Sequence, residues 1–196
     1  MQATGPEPEG ATPLDPDEAE GLIPTHITVR GELNAWETVN IIEGVQWLGA
    51  RRPKEGILDV GTLVELHRRM FSETWAWAGR FRTSDKNIGV HWPRIPERIR
   101  DLVDDVACQL ENGTSELDEL AARFHHRLVS IHPFPNGNGR HARLATDALL
   151  KEWGATPYTW GSGSIDDAGE VRNRYLAALR AADDGDYSLL IDFARS

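Results

Sequence analysis

Cysteine is almost missing from this chain of 196 residues, which contains one, Cys108. A single thiol excludes an internal disulfide and the multi-thiolate sites of structural zinc. Cys108 lies in the helical-looking stretch IRDLVDDVACQLENG and reads as a small residue on a partly buried helix face. Apolar runs of membrane-spanning length are also missing, and the start has neither the basic region nor the apolar core of a secretory signal. A cytoplasmic protein without membrane contact is the expectation.

Positive charge is scarce at one end. The first twenty residues hold no Lys or Arg but six acids, Glu7, Glu9, Asp15, Asp17, Glu18 and Glu20. With few apolar residues and many Pro and Gly, residues 1–21 predict a flexible acidic tail. The formal net charge is −10, but the rest of the chain carries 25 acids against 21 bases and shows no dense basic stripe. Direct nucleic-acid binding is therefore not expected. Residues 22–196 are long enough for one domain with a sizeable core.

What is present is helical periodicity. Residues 35–50 place Trp36, Val39, Ile42 or Val45, and Trp47 or Leu48 on one predicted apolar face, with Trp36, Trp47 and Trp75 expected in the core. Residues 60–78 continue the pattern up to Gly79. Pro96 opens a third helix that ends at Asn112 and Gly113. A fourth starts at Ser115, with Asp118 in a capping-box position, and runs into His132, where Pro133 and Pro135 make further helix unfavourable. Residues 139–154 resume it, and the last thirty suggest two helices broken at Gly185. Residues 82–93 break the pattern: Ile88, Val90 and Trp92 alternate as a short strand does, which predicts a small β-hairpin flap. Neither a phosphate loop of the Walker type nor a dinucleotide fingerprint occurs.

The stretch HPFPNGNGRHAR, residues 132–143, concentrates chemistry. Gly137 and Gly139 let backbone approach closely before a helix whose first N–H groups have no intrahelical partner, a nest for an anion such as phosphate. Arg140 and Arg143, three apart on that helix, can brace more than one phosphate with forked hydrogen bonds. His132, at the start of the loop, titrates near neutrality by residue type and is the candidate base. Phe134 is expected to pack inward and anchor the loop.

This stretch resembles the H-P-F-x-(D/E)-G-N-G-R-x-x-R motif of the Fic (filamentation induced by cAMP) family. WAWAGRFRTSDKNIGV is similar to the region leading into the family's target-docking flap, and RNRYLAALRAADDGDYSLLIDF to its closing helices. HITVRGELNAWE together with HPFPNGNGRHARL is similar in particular to the branch called mobile mystery protein B, which is associated with a small helix-turn-helix partner. The resemblance implies a mostly α Fic fold and transfer of AMP from ATP to a hydroxyl side chain of a target protein. His132 would deprotonate that hydroxyl. Asn136, Gly137, Asn138 and Gly139 would bind the nucleotide, with Asn138 and nearby N–H groups on the α-phosphate. Arg140 and Arg143 would hold the β- and γ-phosphates. Lys86, Asn87, Ile88, Gly89 and Val90 would pair with an extended target segment.

One position departs from the family pattern. Asn136 stands where a carboxylate normally holds Mg²⁺, so metal binding there is expected to be weakened. The family's inhibitory motif places a Glu against the second arginine. TVRGELN offers Thr28 and Glu32 at that spacing, which makes residues 22–34 a candidate inhibitory segment with Glu32 facing Arg143; a separate inhibitor protein, as in a toxin with its neutralising partner, is the other route. Two further function classes stay open on sequence: a nucleotide-binding regulatory module that has lost transfer, and a metal-dependent hydrolase built on His125, His126, His132 and Asp147.

Overall fold

Helix is where the apolar spacing predicts it, and its ends are set by caps and by prolines. The structure is a computed structural model that describes residues 21–24, 30–50, 56–113, 115–162 and 169–196, without the side chains at 30–32, 34 and 35. The expected tail lies almost wholly outside these residues. In chain order the helices are α1 (Arg30–Ala50), α2 (Val60–Phe71), α3 (Ile95–Asn112), α4 (Leu117–Ile131), α5 (Asn138–Glu152), α6 (Glu170–Asp183) and α7 (Ser188–Arg195), with short 3₁₀ turns at Trp92–Arg94 and Trp160–Ser162.

Local chemistry fixes the boundaries. Asp59 caps α2 by accepting from the Thr62 N–H at 2.7 Å. Gly113, with φ of 59°, closes α3 in the left-handed conformation that glycine adopts without strain. The helix expected over residues 60–78 stops at Phe71; a chain of turns follows, and Trp75 pairs with Leu22 in an isolated antiparallel bridge. Trp75 and Ala78 nonetheless reach the core, so burial continues the helical rhythm after the helix has ended. The start of α4 has no side-chain cap bond, and the capping box expected from Ser115 and Asp118 is not formed.

The main core joins α2 through Leu63, Leu66, Met70 and Phe71 to α3, α4 and α5. A second cluster packs Ala121 and Ala122 of α4 and Leu150 of α5 against Tyr158, Trp160, Tyr175 and Phe193 under α6 and α7. The α4–α5 pair, shared by both clusters, carries the loop at 132–137 between two packed layers.

Three expectations need correction. First, residues 82–93 contain no strand. The carbonyls of Ser84 and Val90, which a hairpin ladder would need, accept hydrogen bonds from the Arg82 side chain instead. Second, α1 does not bury the face its large apolar residues suggest: Trp36, Val39, Ile42 and Val45 are exposed, whereas Glu37 and Asn40 are buried. The buried polar pair is satisfied. Trp75 Nε1 donates to Glu37 at 2.7 Å, and the Thr74 hydroxyl and Glu73 N–H donate to Asn40 at 3.0 and 3.1 Å. Third, Cys108 is exposed rather than partly buried. No helix of the described residues is long and apolar enough to cross a membrane.

Candidate functional site

The loop between α4 and α5 is folded by its own sequence. His132 ends α4 with φ 52° and ψ 62°, a left-handed conformation that costs a non-glycine residue about 1–2 kcal/mol. Pro133 cannot continue the helix. Five residues later Gly137 is also left-handed, at φ 76°, and opens α5. A Cβ there would come within 2.6 Å of the Phe71 ring, so both backbone angle and space select glycine. Just after Gly137, Asn138 folds its buried side chain back on the loop: its Oδ1 accepts from the Phe134 N–H at 2.9 Å and its Nδ2 donates to the Phe134 carbonyl at 2.8 Å.

Phe134 is buried and stacks on His67, ring centroids 3.7 Å apart. His67, which no motif in the sequence singles out, bridges two segments. The Gly79 N–H donates to its Nδ1 at 3.0 Å, which leaves Nε2 as the donor to the Asn136 carbonyl at 3.1 Å. His141 likewise donates from Nε2 to the Leu63 carbonyl at 2.8 Å. The loop is therefore pinned to α2 on both sides of Gly137.

The helix that the sequence expects to open on free N–H groups begins at Asn138. The first intrahelical bond of α5 runs from the His141 N–H to the Gly137 carbonyl, so the N–H groups of Asn138, Gly139 and Arg140 have no partner within the helix. The Arg143 guanidinium reaches back over this turn, 3.9 Å from where a Cβ on Gly139 would sit. Arg140 leans the other way. Its Nη1 lies 2.8 Å from the buried Glu37 carboxylate, and its guanidinium covers the Phe71 ring with 5.0 Å to the centroid. Glu37 is the residue sequence reasoning missed here. The side chain of Glu32, read as the inhibitory acid, lies outside the described residues.

His132 itself is 6% exposed. Burial, with the charges of Arg82 and Lys86, lowers its pKa from 6.5 to about 4, so its imidazole is neutral at pH 7. Lys86, Asn87, Ile88, Gly89 and Val90 form the bend beside it, with Asn87, Ile88 and Gly89 exposed. A Cβ on Gly89 would come within 2.7 Å of His132 Cβ, so the bend rests directly on the histidine.

The residues of the hydrolase reading do not converge. His125 bonds the Tyr175 hydroxyl at 2.9 Å, His126 faces Asp183 at 2.8 Å, and Asp147 accepts from Trp160 Nε1 and the Tyr158 N–H at 3.1 Å. Among the described residues no group of three or more His, Cys, Asp or Glu could hold a metal ion. Nor does the loop fit a protein-held Mg²⁺. Asn136 offers an uncharged amide oxygen, and that oxygen already accepts the Gly137 N–H at 2.6 Å.

Comparisons with known proteins converge on one group. The Fic/DOC family model matches residues 57–150. Protein adenylyltransferase fic-1 of Caenorhabditis elegans is 32% identical over 133 residues, covering 66% of this chain and 25% of that protein. Protein adenylyltransferase Fic of Nematostella vectensis is 28% identical over 179 residues, covering 88% and 40%. The chain thus spans about a quarter to two fifths of the length of these curated relatives. Among solved structures, Fic-1 of C. elegans superposes with a TM-score of 0.65 at 26% identity over 91% of this chain and 51% of that one. The BepC protein of Bartonella tribocorum, solved with bound AMPPNP, has a TM-score of 0.69 over 92% and 97% of the two chains. At 18% identity the second is a likeness of fold.

Proposed function

This chain belongs to the Fic/DOC family, and on that footing we propose that it is a protein adenylyltransferase moving AMP from ATP to a hydroxyl side chain of a target protein. One observation carries the reading: a neutral, buried imidazole stands at one end of a loop whose other end opens a helix N-terminus flanked by two arginines. The α-phosphate sits over the N–H groups of Asn138, Gly139 and Arg140, where charge accumulates during transfer. Asn138 contributes through its backbone, since its side chain closes the loop. Arg143 holds the outer phosphates, joined by Arg140. The target hydroxyl attacks the α-phosphorus, its proton passes to His132, the bond to the bridging oxygen breaks, and pyrophosphate leaves with that electron pair. The target segment lies along residues 86–90.

The test compares labels. With α-labelled ATP, a protein in lysate or the chain itself retains label; with γ-labelled ATP it does not. ATP-dependent thermal protection without any α-label transfer would instead establish a nucleotide-binding module.

We also propose that Glu37 restrains the site. Its carboxylate occupies Arg140, which must exchange that partner for phosphate oxygens. Glu37→Gln keeps an acceptor for Trp75 Nε1 while removing the charge. It is expected to lower KM for ATP and raise labelling roughly tenfold, within the usual range of coupling energies. Steady-state labelling against ATP concentration checks this, and an unchanged or raised KM would leave the Glu37–Arg140 pair a purely structural contact.

A further inference from the structure

The bend at residues 82–91 is organised around a buried cation that the reaction described above does not use. The Arg82 side chain has no solvent exposure. Taking a guanidinium out of water is costly unless its donors are satisfied, and here backbone carbonyls satisfy them. Nε donates to the His132 carbonyl at 2.7 Å, Nη1 to Ser84 at 2.8 Å, and Nη2 to Val90, with the Ile131 carbonyl at 3.5 Å. Asp85, half exposed, lies 3.7 Å away.

The backbone completes the junction. The Arg82 N–H donates to the Pro133 carbonyl at 3.0 Å, and the Val90 N–H to the Ile131 carbonyl at 3.3 Å. Three successive carbonyls, 131 to 133, thus accept from the two ends of the bend, at the point where the chain leaves α4 and His132 adopts its left-handed conformation. These are carbonyls that a helix C-terminus leaves without intrahelical donors. One guanidinium gathers the neck of the bend through residues 84 and 90 and fixes the His132 peptide with a third nitrogen. Gly89, with φ of 100°, closes the arrangement: a Cβ there would meet both Arg82 Nη2 and His132 Cβ at 2.7 Å.

We propose that Arg82 is a positioning residue that couples the bend to His132, so that a target segment seated on residues 86–90 sets the orientation of the histidine. The proposal rests on the adenylyl-transfer reading for its kinetic consequence, not for the contact itself. With its side chain buried and its three nitrogens held by backbone carbonyls, Arg82 offers nothing to nucleotide or target directly. Its loss therefore acts on the transfer step and spares ATP binding.

Two variants test this, Arg82→Lys and Gly89→Ala. Lysine keeps the charge but offers one nitrogen in place of three, so it cannot hold residues 84, 90 and 132 together. Alanine at 89 pushes on Arg82 and His132 from the flap side. In each, kcat per ATP-binding site, counted by ATP titration, is expected to fall 10- to 100-fold with KM for ATP within twofold. The His132 ring resonance, identified by its loss in His132→Ala, is expected to move or broaden. A residue that merely supported the fold would lower the yield of ATP-binding protein without changing kcat per site or the resonance. Unchanged values of both in the two folded variants would overturn the proposal. If the wild-type protein transfers no label, the adenylyl-transfer reading falls, and the ring resonance alone decides the role of Arg82.

Discussion

Replacing His132 with alanine is expected to reduce α-label transfer by about 10²–10⁴-fold, the usual contribution of a positioned general base, while ATP affinity stays within about twofold. The two effects separate because the groups that bind and the group that moves the proton are on different segments. In the proposed reaction phosphate is received by the first turn of α5 and by Arg143, and these lie across the loop from the C-terminus of α4, where His132 sits. Burial, Arg82 and Lys86 hold its pKa down at about 4, so over the neutral range the imidazole is a vacant base and never has to lose a proton first. That availability has a cost, since a weaker base draws less strongly on the hydroxyl. The residual activity of His132→Ala measures how much the nest and arginines achieve alone. Its backbone already tolerates a non-glycine residue at φ 52°, so alanine adds no new strain there. Labelling within threefold of wild type would remove His132 from the chemistry.

The loop was legible in sequence because its physics is local. Pro133, Gly137 and the flanking apolar periodicity dictate helix, tight turn, helix without reference to anything distant, and a titrating residue at the turn declares itself by type. Glu37 was not legible in that way. Trp36, Val39, Ile42 and Val45, each three residues apart, look like a face, but three residues turn a helix by about 300°, so the four fan around the axis instead of lining one side. The acid with Asn40 three residues on was the better signal: two polar residues that α1 buries because Trp75, Thr74 and Arg140 come to meet them. Arg82 had no signal at all. Its partners at 131–133 lie some fifty positions away, and the alternation of Ile88, Val90 and Trp92 suggested a hairpin whose acceptors that same arginine has taken. His67 and His141 were opaque for the same reason, each joining the loop region to α2 across more than sixty residues.

Those histidines make the fold sensitive to acid well above the range where exposed carboxylates protonate. His67, His125, His132 and His141 are all buried. Burial lowers His125 from 6.5 to about 3 and His132 and His141 to about 4, and holds His67 well below its ordinary value. Above pH 6.5 these rings are neutral in folded and unfolded chains alike, and their contribution is fully present. As pH falls from there the unfolded chain takes up protons that the folded one refuses, and stability is lost progressively down to about pH 4. Each group costs about 1.4 kcal/mol per pH unit. Asp147 works in the opposite sense: burial raises it to about 6, so below that value the folded state takes up one proton first. Net of Asp147, His125, His132 and His141 leave two protons, a slope of roughly 3 kcal/mol per pH unit between pH 6 and 4, and His67 adds to it in the same direction. A domain near the lower end of the usual range of about 5–15 kcal/mol at neutrality would then lose most of its stability by about pH 4. Urea midpoints at pH 7.5, 6.5 and 5.5 are expected to be similar at the first two and sharply lower at the third. The His132→Ala protein should flatten that slope by about one proton, and His125→Gln, which keeps a partner for the Tyr175 hydroxyl, by another. A wild-type stability unchanged down to pH 5 would mean that the folded protein lets these rings charge, and the neutral imidazole assigned to His132 would lose its physical basis.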